Sequence, residues 1–337
     1  MRIALDGMGG DRGPSTNVAG AIEALEADPA LEVLLVGDED VLRGEAGKHR
    51  FDARRLSVLH APEVITMHDS PSVAVRQKRK SSLHVSNRLV KEGRASGVFT
   101  AGNTGAAMAV SLLTLGRLPG IIRPALLVDF PSITPHGRAS LIDVGANVDC
   151  KPRMLVQFAV MADCYVREMH GVDAPRIGLL SLGEEDIKGN DLIRETRNLL
   201  KDMAVNYVGN LEGQDLVNGR TDVLVCDGFV GNVLLKFGSG MARMFVDLMK
   251  KEVLARGILA RLTAGLFLSM LRGFYRRMDY SEVGAAPLLG VNGTSTIGHG
   301  KSSAKAIKNA LLLTAKFCSL RVNAKIEGAL RDNRVAE

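Results

Sequence analysis

Short apolar runs alternate with longer amphipathic stretches along this chain. Residues 3–5, 32–38, 56–60, 97–100, 124–130, 140–144, 176–180, 205–211, 222–226 and 288–291 read as strands. The most uniform of them, such as Glu32-Val33-Leu34-Leu35-Val36, lack an alternating polar face and fit a sheet covered on both sides. Helical stretches lie between them, over 15–27, 85–92, 106–115, 155–170, 233–249 and 304–320. Strands alternating with helices build βαβ units and a mostly parallel sheet. No linker, low-complexity run or repeat divides the chain, so residues 1–337 read as one α/β unit of two lobes.

Five strand exits are rich in glycine and asparagine. The first is Ala101-Gly102-Asn103-Thr104-Gly105-Ala106, where Gly102 and Gly105 let the backbone turn sharply before a helix. The N–H groups of such a helix start favour an anion. Asp143-Val144-Gly145-Ala146-Asn147, the 183–190 loop, Asp227-Gly228-Phe229-Val230-Gly231-Asn232 and the 290–303 stretch repeat the pattern. Ligands of parallel sheets sit beyond the carboxyl ends of the strands. The five exits are therefore expected to converge on one crevice. The glycine loop at 6–13 lacks the G-x-G-x-x-G spacing, and reads equally as a tight turn or a ligand loop.

Composition narrows the classes. Trp is absent and aromatics make up 4%, which argues against stacking platforms for single-stranded nucleic acid. The net charge of +6 suits an acidic partner, an anionic substrate or a membrane surface without choosing among them. None of Cys150, Cys164, Cys226 and Cys318 forms a C-x-x-C pair, so reduced thiols are expected and no metal site. Neither a signal peptide nor an apolar run long enough to span a bilayer is expected. The run Arg76, Lys78, Arg79 and Lys80 reads as a solvated face or as a seat for a phosphate or an acidic carrier.

One stretch departs from the sheet pattern. Across 256–277, Ile258, Leu262, Leu266, Met270 and Phe274 recur every four residues, with Phe267 beside them. Arginines and no acids accompany them. This suits an amphipathic helical segment, protruding over 253–283, that lies on an anionic membrane or forms a dimer contact. Both alternatives stay open.

Familiar catalytic motifs are missing. No G-x-S-x-G elbow or H-E-x-x-H occurs, and Gly298-His299-Gly300-Lys301-Ser302 lacks the first glycine of a P-loop. Cys226 reads as a buried inert thiol. Amides, lysine, one histidine and backbone N–H groups remain. That set binds an oxyanion and polarises a carbonyl, and it lacks a nicotinamide fingerprint.

Asp6-Gly7-Met8-Gly9-Gly10-Asp11, Ala101 to Ala106, Asp143 to Asn147, Gly183-Glu184-Glu185 with Lys188-Gly189-Asn190, Gly228 to Asn232, and Pro287-Leu288-Leu289-Gly290 with Gly298-His299-Gly300 together resemble the phosphate acyltransferase (PlsX) family. The resemblance runs in order over nearly the whole chain. It departs at Phe237-Gly238, where an acidic residue before the glycine is usual, and at Ala285, where a second glycine is. It implies a three-layer α/β/α fold like isocitrate and isopropylmalate dehydrogenases, and attack of inorganic phosphate on the thioester of fatty acyl carrier protein. It further implies no cofactor, a homodimer, and a cytoplasmic protein loosely attached to the membrane, where a glycerol-3-phosphate acyltransferase is a possible neighbour.

Under that resemblance Gly102, Asn103, Thr104, Gly105, Asn190 and Gly231 hold phosphate, and Lys188 offsets its charge. Asn232 or Asn147 donates to the oxyanion, and His299 donates a proton or hydrogen bond. As single residues, each asparagine also reads as a turn residue and His299 as a structural histidine. The rivals are a phosphotransacetylase acting on acyl-CoA, a metal-dependent dehydrogenase, and a non-catalytic membrane adaptor.

Overall fold

The computed structural model describes residues 1–255 and 282–333. Eleven strands in the described residues form one sheet: β1 Arg2–Asp6, β2 Glu32–Gly37, β3 Leu56–His60, β4 Gly97–Thr100, β5 Ala125–Pro131, β6 Arg138–Ile142, β7 Ile177–Leu180, β8 Tyr207–Leu211, β9 Val223–Val225, β10 Ala286–Leu289 and β11 Thr294–Ile297. Their spatial order is β3-β2-β1-β4-β11-β10-β5-β6-β9-β7-β8. From β3 to β11 the strands are parallel, as they are from β6 to β8. Between these halves β11–β10, β10–β5 and β5–β6 pair antiparallel. The halves therefore run in opposite directions. The expectation of a mostly parallel sheet holds within each half. The antiparallel seam arises because β10 and β11 are joined by a short turn rather than a helix, and so are β5 and β6.

Alternate residues of the strands feed two helical layers. Over the first half, Ile3, Leu5 and Phe99 pack with α1 (Gly13–Ala27) and a C-terminal helix, Ala304–Ser319. Over the second, Ile142, Val223 and Val225 pack against Pro152–His170, whose buried run extends from Met154 to Val166. The opposite layer holds Ala106, Ala107 and Val110 together with Leu141, Val144, Leu224, Leu234 and Leu235. One apolar sheath thus reaches from the first half to the second.

In chain order the helices are α1, α2 (Glu39–Ala46), α3 (Pro71–Gln77), α4 (Ser82–Lys91), α5 (Thr104–Leu115), α6 (Pro152–His170), α7 (Asp191–Leu200), α8 (Gly228–Ala255), α9 (Ala304–Ser319) and α10 (Val322–Asp332). The sequence pattern misses α2, α3, α7 and α10, which are short and each bury only two or three residues. Helix α8 starts at 228 rather than 233, because the Asp227 carboxylate accepts from the Val230 N–H at 2.9 Å and begins the helix at the strand exit. The apolar positions Ile258, Leu262, Leu266, Phe267, Met270 and Phe274 lie outside the described residues, as does most of 253–283.

Candidate active site

Two nests of loops account for most of the site residues expected from sequence. The first gathers the exits of β1, β4 and β11. Asp6, the last residue of β1, is 3% exposed. The Thr100 hydroxyl donates to Asp6 Oδ2 at 2.7 Å, and the Gly102 N–H donates to that hydroxyl at 3.0 Å. Asn17 on α1 donates to the carbonyls of Gly7 and Gly9, both at 2.9 Å, which holds the glycine loop down. The Asp11 N–H donates to the Gly300 carbonyl at 2.7 Å, and the Gly298 N–H to the Thr100 carbonyl at 2.7 Å. His299 is therefore carried into this nest, where it is exposed and its Nδ1 accepts from the Lys301 N–H. A Cβ on Gly9 would lie 2.7 Å from Asp6 Oδ2 and 3.0 Å from the Gly102 nitrogen, so only glycine permits this approach.

Burial raises the Asp6 carboxyl above its ordinary value, against hydrogen bonds from Ser82, Thr100 and the glycine loop that lower it. Asp6 Oδ1 is buried without a hydrogen-bond partner among the described residues.

Asn103 caps α5. Its Oδ1 accepts from the Ala106 N–H at 3.1 Å, and its amide donates to the Asp69 carbonyl at 3.1 Å. The side chain is committed to the turn. Thr104 and Gly105 begin the helix and present first-turn N–H groups to the loop. The start of α3 abuts this turn, since Pro71 Cγ would be 2.9 Å from a Cβ on Gly105. The basic run follows directly. Arg76, Arg79 and Lys80 are exposed. Lys78 instead turns inward, pairing with Asp69 at 2.5 Å and donating to the Val64 carbonyl at 2.9 Å.

The second nest joins the exits of β6 and β9. Asp143 accepts from the N–H groups of Leu126, Gly145, Ala146 and Asn147, and from the Asn147 amide, at 2.7 to 3.2 Å. Burial still raises its carboxyl above the ordinary value. The Asn147 amide also donates to the Pro124 carbonyl at 2.8 Å, so both its hydrogens brace the loop. Asn147 thus has no donor left for an oxyanion in this arrangement. Helix α8 enters the nest at Gly231, where a Cβ would sit 1.9 Å from the Asp143 carbonyl oxygen. Asn232 lies over Gly145, with its amide nitrogen 4.0 Å from a Cβ built there. Its half-buried amide makes no hydrogen bond among the described residues.

The nearby thiols are poor nucleophiles. Burial, with the charge of Asp143, pushes the Cys150 thiol up to about 12, and burial raises the Cys226 thiol well above its ordinary value.

The β7 exit stands apart. Asn190 caps α7 through the Ile193 N–H at 3.1 Å. Lys188 is exposed and makes no ion pair among the described residues. No hydrogen bond links this loop to either nest among those residues. The nests themselves are bridged by the sheath that packs Ala106 and Ala107 of α5 with Val144, Ala146 and Leu234.

Sequence reasoning passed over Asp6, Thr100, Asp143 and Asp227 as individual residues. The signal was present: Asp6, Asp143 and Asp227 each stand where a strand ends and a glycine-bearing turn begins.

The fold defines the class first. It is shared with a phosphotransacetylase from Streptococcus pyogenes at a TM-score of 0.66 and 17% identity, over 95% of this chain and 94% of that one. It is also shared with 4-hydroxythreonine-4-phosphate dehydrogenase from Klebsiella pneumoniae, at a TM-score of 0.54 and 15% identity over 94% and 98% of the two chains. Within that class the family model described as "Fatty acid synthesis protein" matches residues 1–325. A phosphate acyltransferase from Pelotomaculum thermopropionicum is 46% identical over 99% of this chain and 96% of its own. One from Heliobacterium modesticaldum is 50% identical over 92% of each chain. The chain belongs to the phosphate acyltransferase (PlsX) family.

Proposed function

We propose that this protein transfers a fatty acyl group from the thioester of acyl carrier protein to inorganic phosphate. A phosphate oxygen attacks the thioester carbonyl carbon, the carbon–sulfur bond breaks, and the carrier thiolate leaves and takes up a proton. Inorganic phosphate is already an anion with unprotonated oxygens near neutrality, so it can attack without a strong base. A thiolate with a pKa of about 8.5 leaves with little acid assistance. What remains is positioning and oxyanion stabilisation.

The observation that carries this reading is the pairing of donor-rich turns with inert thiols. Thr104 and Gly105 offer N–H groups to phosphate. Asn232 is the asparagine whose amide is uncommitted, so it takes the oxyanion role in preference to Asn147. Lys188 balances charge from the β7 exit with Asn190 beside it, and His299 donates from the first nest. Arg76, Arg79 and Lys80 flank the α5 turn and suit an acidic carrier.

Helix α8 supports the proposed homodimer and membrane contact. Phe229, Val233, Phe237 and Phe245 are all more than half exposed along it. No helix among the described residues is long and apolar enough to cross a membrane. A cytoplasmic protein attached peripherally to anionic lipid, beside a glycerol-3-phosphate acyltransferase, fits that surface.

Incubation with acyl carrier thioester and phosphate tests the reading. Acyl phosphate and free thiol should form in equal amounts. Absence of acyl phosphate, or an acyl group trapped on a side chain during turnover, would overturn it. Faster turnover with acyl-CoA would favour the phosphotransacetylase-type alternative.

A further inference from the structure

A cavity of about 460 Å³ opens between the end of β5, the start of β6, the end of α6 and the side of α9. It contains none of the residues of the two nests. Asp129 lies in its floor and Asp143 at the other end of the β5–β6 hairpin, where Asp143 accepts from Leu126. Three residues of strand, about 10 Å, separate Leu126 from Asp129.

The charge inside this cavity is unbalanced in a specific way. Asp129 is 6% exposed and already has its partners. Ser140 and Tyr165 donate to it at 2.6 and 3.1 Å, and His170 Nε2 lies 3.0 Å from its Oδ2. Burial works to raise this carboxyl, and the charges and hydrogen bonds of His170, Ser140 and Arg138 hold it low. Arg138 lines the cavity with no ion pair or hydrogen bond from its guanidinium among the described residues. His136 stacks on His170 at 5.8 Å between ring centres. Its buried Nε2 has no hydrogen-bond partner among those residues. The nearest acid, Asp222, is 3.8 Å from that nitrogen and holds Arg176 in a two-pronged pair instead. Arg138 therefore faces this space beside the stacked His136 and His170, with no ion-pair partner of its own among the described residues, while Leu312 and Leu313 of α9 supply an apolar wall.

We infer that this cavity is a second ligand site, which takes the carboxylate or phosphate of a small organic anion at Arg138, beside the His136–His170 stack, and its apolar body against Leu312 and Leu313. The planar guanidinium suits two-pronged recognition of either head group.

Histidine side-chain NMR of the full-length protein, saturated with inorganic phosphate, provides the test. Phenyl phosphate and benzoate are the probes, and they distinguish the two head groups. At least one should shift the His136 and His170 signals saturably at millimolar concentration, and phenol should not. Arg138→Gln should weaken that binding about tenfold. Leu313→Glu, which places a carboxylate in the cavity without touching Arg138, should do the same. No saturable shift with either anion, a shift confined to His299, an equal response to phenol, or undiminished binding in both variants would overturn the inference. Acyl phosphate formation is measured separately, so failure here leaves the proposed reaction standing.

Discussion

The two nests solve one geometric problem with opposite hydrogen-bond economies. Each places a buried aspartate at a strand exit and folds glycine-bearing loops over it. Asp143 collects five donors and is complete within the protein. Asp6 keeps one oxygen that no described residue satisfies. A satisfied buried carboxylate is a brace, and losing it strands its donors. An unsatisfied one waits for a proton or a donor from outside. The Asp143 nest thus fixes where α8 and Asn232 begin, and the Asp6 nest holds open the loops that carry Gly102 and His299.

The largest effect should come from the brace. Gly231→Ala drives a methyl group into the Asp143 carbonyl, where the contact would be 1.9 Å and backbone must move. We expect a loss of about 3 kcal/mol in stability and at least ~10²-fold in turnover, as Asn232 shifts with the start of α8. Calorimetry and the acyl phosphate assay measure the two. A variant with normal melting and normal turnover would remove the brace from the comparison.

Side chains proposed to meet the substrates should behave differently. Lys188→Ala, Asn232→Ala and His299→Ala should each lower turnover at least ~10²-fold while the fold survives. Asn147→Ala should instead lose stability along with activity, because its amide ties Asp143 to Pro124. Near-normal turnover in all of the first three, with melting unchanged, would sink the role assignment.

Exchanging the aspartates sharpens the contrast further. Asp143→Asn turns an amide toward N–H donors and should cost about 2 kcal/mol. Asp6→Asn should cost less than about 1 kcal/mol and should lower turnover about tenfold. The pH dependence has a definite sign. Burial raises the Asp6 carboxyl in the folded chain, so the folded state holds that proton more tightly than the unfolded state does. The charged form therefore costs stability above the folded value, and the cost fades as pH falls from there toward 3.8. The stability deficit of Asp6→Asn relative to the unaltered protein should grow as pH falls over the same interval, because only the unaltered protein regains that cost. A difference independent of pH would mean that Asp6 is not held in its proton-binding form by burial.

The sequence made the first half of this picture legible and obscured the second. Continuous burial and glycine at strand exits show through directly, because β1, β2 and β4 are buried on both faces and write their environment into continuous apolar runs. The reversal at β10 and β5 does not show through, because strand direction depends on pairing between distant segments rather than on local composition. The asparagines were visible as residues but not as roles. Asn103, Asn147 and Asn190 all bond their own turns, and Asn232 differs from them only through where α8 sits. The same holds for Lys78, which belongs to the basic run by sequence and to Asp69 by geometry.

That distinction predicts a smaller effect in carrier binding. Replacing Arg76, Arg79 and Lys80 together with Gln should raise the KM for acyl carrier protein several-fold and flatten its dependence on salt. Lys78→Gln should leave both nearly unchanged and instead loosen the 64–69 loop, detected by faster hydrogen exchange there. If Lys78 alone carried the salt dependence, the inward pair with Asp69 would not persist when the carrier docks.

The smallest expected effect bears on the second nest and on the chemistry together. Cys150 lies at its edge, with its sulfur 3.6 Å from the Asn147 carbonyl, close enough to invite an acyl-enzyme reading. Its thiol is pushed up to about 12 by burial and the Asp143 charge, so the thiolate needed for attack is scarce at neutral pH. Cys150→Ala should therefore change turnover by less than about twofold, since direct attack by phosphate asks nothing of this sulfur. A large loss with melting unchanged would mean that the nest lowers this thiol when substrate binds. The Asp143 brace would then be part of a nucleophile's surroundings rather than a support for α8.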